Sequence, residues 1–191
     1  MTKKISEQYD KFANKFSVKA RKQNVVNIDE MRKQVNFSVK NKKILDMGCG
    51  DGEELLFYKS KGAIIYGLDA SKELINLAKQ RLPNIDLEVC LFESTPYKNI
   101  FFDVVVSKYA FQHSYEIEPI YKEVVRIIKK KGLFIFLVTH PLRQFIEKKK
   151  KNKDYFKKEV VNSIILDATL TVKEPSHTLS EYFSDFFLEN F

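Results

Sequence analysis

Lys43-Ile44-Leu45-Asp46-Met47-Gly48-Cys49-Gly50-Asp51-Gly52-Glu53-Glu54 is the stretch that decides how this chain folds. A short apolar run ends in an acid. Glycines follow at 48, 50 and 52, and Leu55-Leu56-Phe57-Tyr58 then reads as the start of a helix. The pattern is a buried strand, a tight turn with close backbone approach and a helix N-terminus, the layout of a nucleotide-binding βα turn. A dinucleotide fingerprint would put its third glycine where Glu53 stands. Asp46, Asp51, Glu53 and Glu54 would repel a diphosphate. They suit a ligand without phosphate that carries positive charge.

A second element supports this reading. Ala63-Ile64-Ile65-Tyr66-Gly67-Leu68 reads as a buried strand ending in Asp69, 21 residues beyond Gly48. An acid at about that distance is placed for ribose hydroxyls. S-adenosyl-L-methionine, with its adenosine, sulfonium and zwitterionic tail, fits both features. The chain resembles a class I S-adenosylmethionine-dependent methyltransferase of the small-molecule type, whose first motif is acid-x-Gly-x-Gly-x-Gly. The resemblance is strong over 42–140 and looser outside it.

The resemblance implies a set of roles. Asp46 orders the glycine loop and faces the methionine amino group. Gly48, Cys49 and Gly50 bring backbone to the cofactor, and Gly52 opens the next helix. Asp69 accepts the ribose hydroxyls, as an acceptor-only carboxylate can. Ala70 and Leu74 line the adenine or simply pack their helix. Relatives usually carry an acid where Leu91 stands here, so the Phe92 backbone or Glu93 takes that part. Ser107 and Lys108 pass the methionine end. Tyr109 and His113 face the acceptor and are the candidate catalytic residues, although His113 serves equally well as a packing or capping residue. Tyr9-Asp10-x-x-Ala13-x-x-Phe16 resembles a cap helix whose Tyr9 closes over the methionine tail; a plain amphipathic face is the other reading. His140 and His177 fall in turns near the expected site. The three histidines are too widely spaced to make a metal site.

Bulk properties bound the rest. At 191 residues and 44% hydrophobic content the chain is expected to form one globular domain. It has no apolar run of about 18 residues, so no membrane span is expected. The N-terminus lacks an apolar signal region. Cys49 and Cys90 read as structural thiols in a reducing cytoplasm. The net charge of +8 comes from 28 lysines against 5 arginines. Phosphate and base readout favours arginine, so a nucleic-acid partner is not expected. The lysine runs at 129–131 and 148–151 read as solvated helix ends.

The element order alternates: helices over 5–36, strand 43–47, helix 52–61, strand 63–68, helix 71–81, strand 85–89, strand 102–107, helix 116–130 broken by Gly132, and strand 133–138. This predicts an α/β, Rossmann-like methyltransferase fold with a mostly parallel sheet. Residues 1–36 would be cap helices, 42–140 the cofactor-binding core and 141–191 a lid or substrate segment with a last helix. In the last segment 163–172 is read as extended or short-helical. Thr178-Leu179-Ser180-Glu181 is a capping box. The family's last two strands have no counterpart. The fifth strand is then an exposed edge, or is covered by 163–172 or by a second copy in a homo-oligomer. The expected activity is in-line methyl transfer to a small-molecule acceptor. The alternatives are a cofactor-binding protein without catalysis, a nucleic-acid methyltransferase and, disfavoured by Glu53, a nicotinamide oxidoreductase.

Overall fold

The computed structural model describes residues 3–20, 25–149, 153–165 and 170–191. Five parallel strands form one sheet: β1 (Lys43–Met47), β2 (Ile64–Asp69), β3 (Asp86–Val89), β4 (Phe102–Lys108) and β5 (Ile128–Leu137), in the order β3-β2-β1-β4-β5. Successive strand residues bury into opposite faces. Leu45, Met47 and Val105 join one apolar cluster, while Ile44, Val104 and Val106 join the other. Burial on both faces is what a parallel sheet covered by helices requires.

Helices α1 (Lys3–Ala20), α2 (Val25–Lys33), α3 (Glu53–Ser60), α4 (Lys72–Arg81) and α5 (Glu118–Ile127) supply that cover. Ser71 caps α4, its hydroxyl accepting from Leu74 N–H, as the sequence suggests. In α5 the buried residues Ile120, Tyr121, Val124 and Ile127 recur at helical spacing. The strand order reverses between β1 and β4. Open α/β sheets bind ligands outside the strand C-termini at such a point.

Three expectations are corrected. First, the helix expected over 116–130 ends at Ile127, and Gly132 lies inside β5 rather than before it. Ile128 already pairs with Phe102, and a register shift follows before Val104 meets Leu133. Lys131, at φ 64°, sits in that bulge. Second, the described part of 163–172 is extended but does not pair with β5: β6 (Val160–Ile165) runs antiparallel to β7 (Leu170–Pro175) in a two-stranded sheet separate from the main one. It follows helix α6 (Pro141–Lys148). Residues 166–169 of the segment expected to be extended or short-helical, and Lys150 and Lys151 of the second lysine run, lie outside the described residues. Third, the expected last helix is two, α7 (Leu179–Tyr182) and α8 (Asp185–Asn190), because Ser184 starts a new N-cap by accepting from Phe187 N–H. The capping box at Thr178 and Glu181 is present.

The two short helices bring Tyr182, Phe187 and Phe191 against Phe134 and Phe136 of β5 and Tyr121 of α5. The Tyr121 hydroxyl donates to the Tyr182 carbonyl at 2.8 Å. An aromatic layer thus covers one face of β5, while β5 remains an end strand of the sheet.

Candidate functional site

A cleft of about 1250 Å³ opens at the strand C-termini. Its floor is the glycine turn. Gly48 has φ 89°, and a Cβ there would stand 2.1 Å from the Ala110 Cβ. Only glycine fits that position. Gly50 (φ 54°) is held by Asp69, whose Oδ2 accepts from Gly50 N–H at 3.0 Å while Oδ1 accepts from Ser71 N–H at 2.8 Å. Asp69 therefore ties the end of β2 to the glycine turn. A carboxylate has about four acceptor positions, so two remain. Burial outweighs those two hydrogen bonds and raises the Asp69 carboxyl above its ordinary range.

Of the four acids around the turn, three are neutralised. Asp51 pairs with Arg81 at 2.7 Å and accepts from Ser17 of α1. Glu53 pairs with Arg81 at 3.0 Å. Glu54, only 1% exposed, receives Arg32 through two hydrogen bonds (2.9 and 3.1 Å) and Lys108 at 3.3 Å. The negative field inferred from sequence thus narrows to Asp46. Its Oδ1 is buried, lines the cleft and has no hydrogen-bond partner among the described residues. Burial pushes the Asp46 carboxyl up to about 8; Lys108 pulls it down, and Glu54 and Asp69 push it further up. An orphaned buried carboxyl beside a glycine cradle is the receptor a compact cation would need.

Beyond the glycine turn, the cleft is walled by α1, α2 and the β6–β7 hairpin. Tyr9 and Phe16 line it from α1, Val25 and Ile28 from α2, and Leu74 and Phe92 from the core. His113 is buried in the 3-10 turn Phe111–His113 after β4. Its Nε2 is 2.9 Å from the Tyr9 hydroxyl, and its Nδ1 is 3.0 Å from Glu174 Oε2. Glu174, on β7 and 1% exposed, also accepts from Gln112 (3.2 Å), Gln144 (3.2 Å), Lys148 (3.0 Å) and Ser163. Burial alone would raise its carboxyl, but His113, Lys148 and Ser163 hold it well below the ordinary range.

Of the residues singled out in the sequence, the cleft brings together Tyr9, Asp46, Gly48, Cys49, Gly50, Asp69, Phe92, Tyr109 and His113. Ser107 and Ala70 stand behind its wall. The Ser107 hydroxyl donates to the Met47 carbonyl, and Ala70 packs on the core. Tyr109 is at φ 51°, and its hydroxyl accepts from Asn27 of α2 at 3.0 Å. Leu91 is exposed. His140 caps α6 by accepting from Leu142 N–H at 3.2 Å. His177 is buried with Nε2 2.9 Å from the Gln112 carbonyl, outside the cleft. Among the described residues no group of His, Cys, Asp and Glu could hold a metal. The sequence reading missed Glu174, Lys148 and the Arg32–Glu54–Lys108 cluster. Only the fold brings them in, and Glu174 lies in an alternating strand that resembles any edge hairpin. Arg32, Arg81, Arg126 and Arg143, the arginines among the described residues, are each paired with a carboxylate.

Comparison with known proteins agrees with this geometry. Residues 45–136 match the family model described as "Methyltransferase domain". An uncharacterised protein of Methanocaldococcus jannaschii is 33% identical over 71% of this chain and 52% of its own length. A ubiquinone biosynthesis O-methyltransferase of Pelagibacter ubique is 30% identical over 70% of this chain and 57% of its own. The chain thus spans about half the length of these curated relatives. A solved structure assigned to the S-adenosylmethionine-dependent methyltransferases, from Listeria monocytogenes, is 25% identical. It superposes with a TM-score of 0.69, covering 85% of this chain and 81% of that one.

Proposed function

We propose that the chain belongs to the class I S-adenosylmethionine-dependent methyltransferases and that it transfers a methyl group from S-adenosyl-L-methionine to a small-molecule acceptor in the cleft above β1 and β4. The observation that carries this reading is the orphaned Asp46 carboxyl beside the Gly48 cradle. Asp46 meets the cationic amino group of the methionine tail. Asp69 offers its two remaining acceptor positions to the ribose while holding the turn. Leu74 and Phe92 give the adenine an apolar wall. Bound there, the cofactor supplies a methyl already activated by the sulfonium, so in-line alignment matters more than acid–base help. The chain provides alignment through the rigid turn, and it excludes water through Tyr9, Phe16, Val25 and Ile28.

A small-molecule acceptor is favoured over nucleic acid by the arginines, which are all paired with carboxylates among the described residues. The open edge of β5 is the place where a second copy of the chain could add a strand. No helix among the described residues is long and apolar enough to cross a membrane.

Calorimetric titration with S-adenosylhomocysteine tests the reading. Wild-type protein is expected to bind, and Asp46→Asn to bind about 10–100-fold more weakly, the loss of one charge-assisted hydrogen bond. A folded wild-type protein that does not bind refutes the assignment.

A further inference from the structure

We propose that Tyr9, His113 and Glu174 form a proton relay whose open end is the Tyr9 hydroxyl, and that the acceptor presents an aromatic hydroxyl to it. The proposal rests on the methyl-transfer reading and deepens it by naming the acceptor class.

The geometry fixes the direction of the relay. An ionised carboxylate only accepts hydrogen bonds. Glu174 receives donors from three elements, and its charge is balanced by Lys148 at 3.0 Å. Its Oε2 faces His113 Nδ1 at 3.0 Å, and a carboxylate that close favours the tautomer with its proton on Nδ1. Nε2 then has a lone pair, and the Tyr9 hydroxyl at 2.9 Å donates to it. Nε2 is engaged by Tyr9 and Nδ1 faces the Glu174 carboxylate, so neither nitrogen is turned to an acceptor. Tyr9 is among the residues that line the cleft, and its oxygen, donating to Nε2, keeps its lone pairs. Tyr9 is therefore the catalytic contact, His113 the proton sink and Glu174 a positioning residue.

The proton balance selects the acceptor. The acceptor O–H breaks toward the Tyr9 oxygen as the Tyr9 proton passes to His113 Nε2. The oxygen's electron pair forms the new bond to the methyl carbon while the carbon–sulfur pair returns to sulfur, leaving a neutral thioether and an imidazolium beside Glu174. The imidazolium returns its proton through Tyr9 to solvent after product leaves. Burial, with Glu174 and Asp69 nearby, pushes the Tyr9 phenol far up. A standing tyrosinate is thus disfavoured, and the transfer has to run through in one motion. A phenol, at about 10, releases its proton into such a relay far more readily than an aliphatic alcohol, which holds it much more tightly. The aromatic lining of Tyr9, Phe16, Phe92 and Tyr109 suits a planar ring.

The test uses the full chain saturated with S-adenosylhomocysteine and titrated with 4-nitrocatechol, whose absorbance reports its ionisation. Below the pH at which the free probe ionises, the wild-type complex is expected to show the ionised band. Tyr9→Phe and Glu174→Gln are expected to lose that band. With S-adenosylmethionine in place of the homocysteine, the wild type is expected to methylate 4-nitrocatechol and not benzylamine. Both variants should lose about 100-fold in kcat. Glu174→Gln should keep its affinity for S-adenosylhomocysteine, which a general loss of structure would not allow. Binding of the probe in neutral form, no binding of it, methylation of benzylamine instead, or an unchanged band in both variants overturns the relay. Failure of the wild type to bind S-adenosylhomocysteine overturns the underlying methyltransferase reading instead.

Discussion

Asp46→Asn is expected to stabilise the ligand-free protein while weakening its hold on the cofactor. In the folded chain the Asp46 carboxyl stands at about 8, against an ordinary value of 3.8. A carboxyl raised by folding contributes stability that is full below the unfolded value and is lost as pH climbs through the folded one. The window is therefore about 4 to 8. At about pH 7 the unfolded chain has gained roughly three pKa units of ionisation that the fold withholds, at about 1.4 kcal/mol each, or at most about 4 kcal/mol. Asparagine cannot ionise, so it avoids that penalty. Its own buried N–H groups take part of the gain back, which leaves a net of about 2 kcal/mol. For a chain of this size that raises Tm by about 4–8 °C. Scanning calorimetry at about pH 4 and about pH 7 measures it. The variant should melt below the wild type at the lower pH, where only the cost of its buried N–H groups is felt, and above it at the higher. Wild-type affinity for S-adenosylhomocysteine should rise as pH approaches 8, because only the ionised carboxylate pairs with the ligand's ammonium. Equal melting at both pH values would refute the reasoning and show that Lys108 keeps Asp46 charged throughout.

Three further outcomes are expected. Gly48→Ala combines a positive φ with a Cβ 2.1 Å from Ala110 and should cost about 3 kcal/mol, seen as a lower urea midpoint; an unchanged midpoint would mean that the turn moves freely. Glu54→Gln leaves Arg32 and Lys108 without their buried anion and should cost about 3 kcal/mol; thermal unfolding reads the loss, and adding Arg32→Met should recover part of it. Tyr121→Phe removes the hydrogen bond to the Tyr182 carbonyl and should cost about 1 kcal/mol, checked by the same melts.

The central fold was legible because its signals are local. The apolar run ending at Asp46, the alternate glycines and the second strand ending at Asp69 state the strand–turn–helix order outright. Ser71 and the Thr178–Glu181 box mark helix starts with side chains that act within three residues. What was not legible depends on distance in space. Nothing near Glu174 in sequence says that it will lie against His113, 61 positions earlier. Nothing near Glu54 says that Arg32 and Lys108 will neutralise it, so the charge around the glycine turn was overcounted. The break at Phe183 and the early start of β5 were missed for another reason. A helix-like apolar spacing does not report a competing cap at Ser184 or the pairing of Ile128 with Phe102.

Helix α1 is fastened at points remote from it along the chain. Gln8 exchanges hydrogen bonds with the Lys173 backbone, Asp10 accepts from Ser71 and Glu73, Tyr9 meets His113, and Ser17 donates to Asp51. Every one of these partners belongs to a part of the chain synthesised later, up to 165 residues away. Helix α1 is thus among the last parts of this chain to dock, since contacts of such separation carry the largest closure cost. Undocking α1 is a sub-global opening that would take one wall off the cleft, so the stability of this wall is set by a handful of side-chain hydrogen bonds rather than by the central sheet.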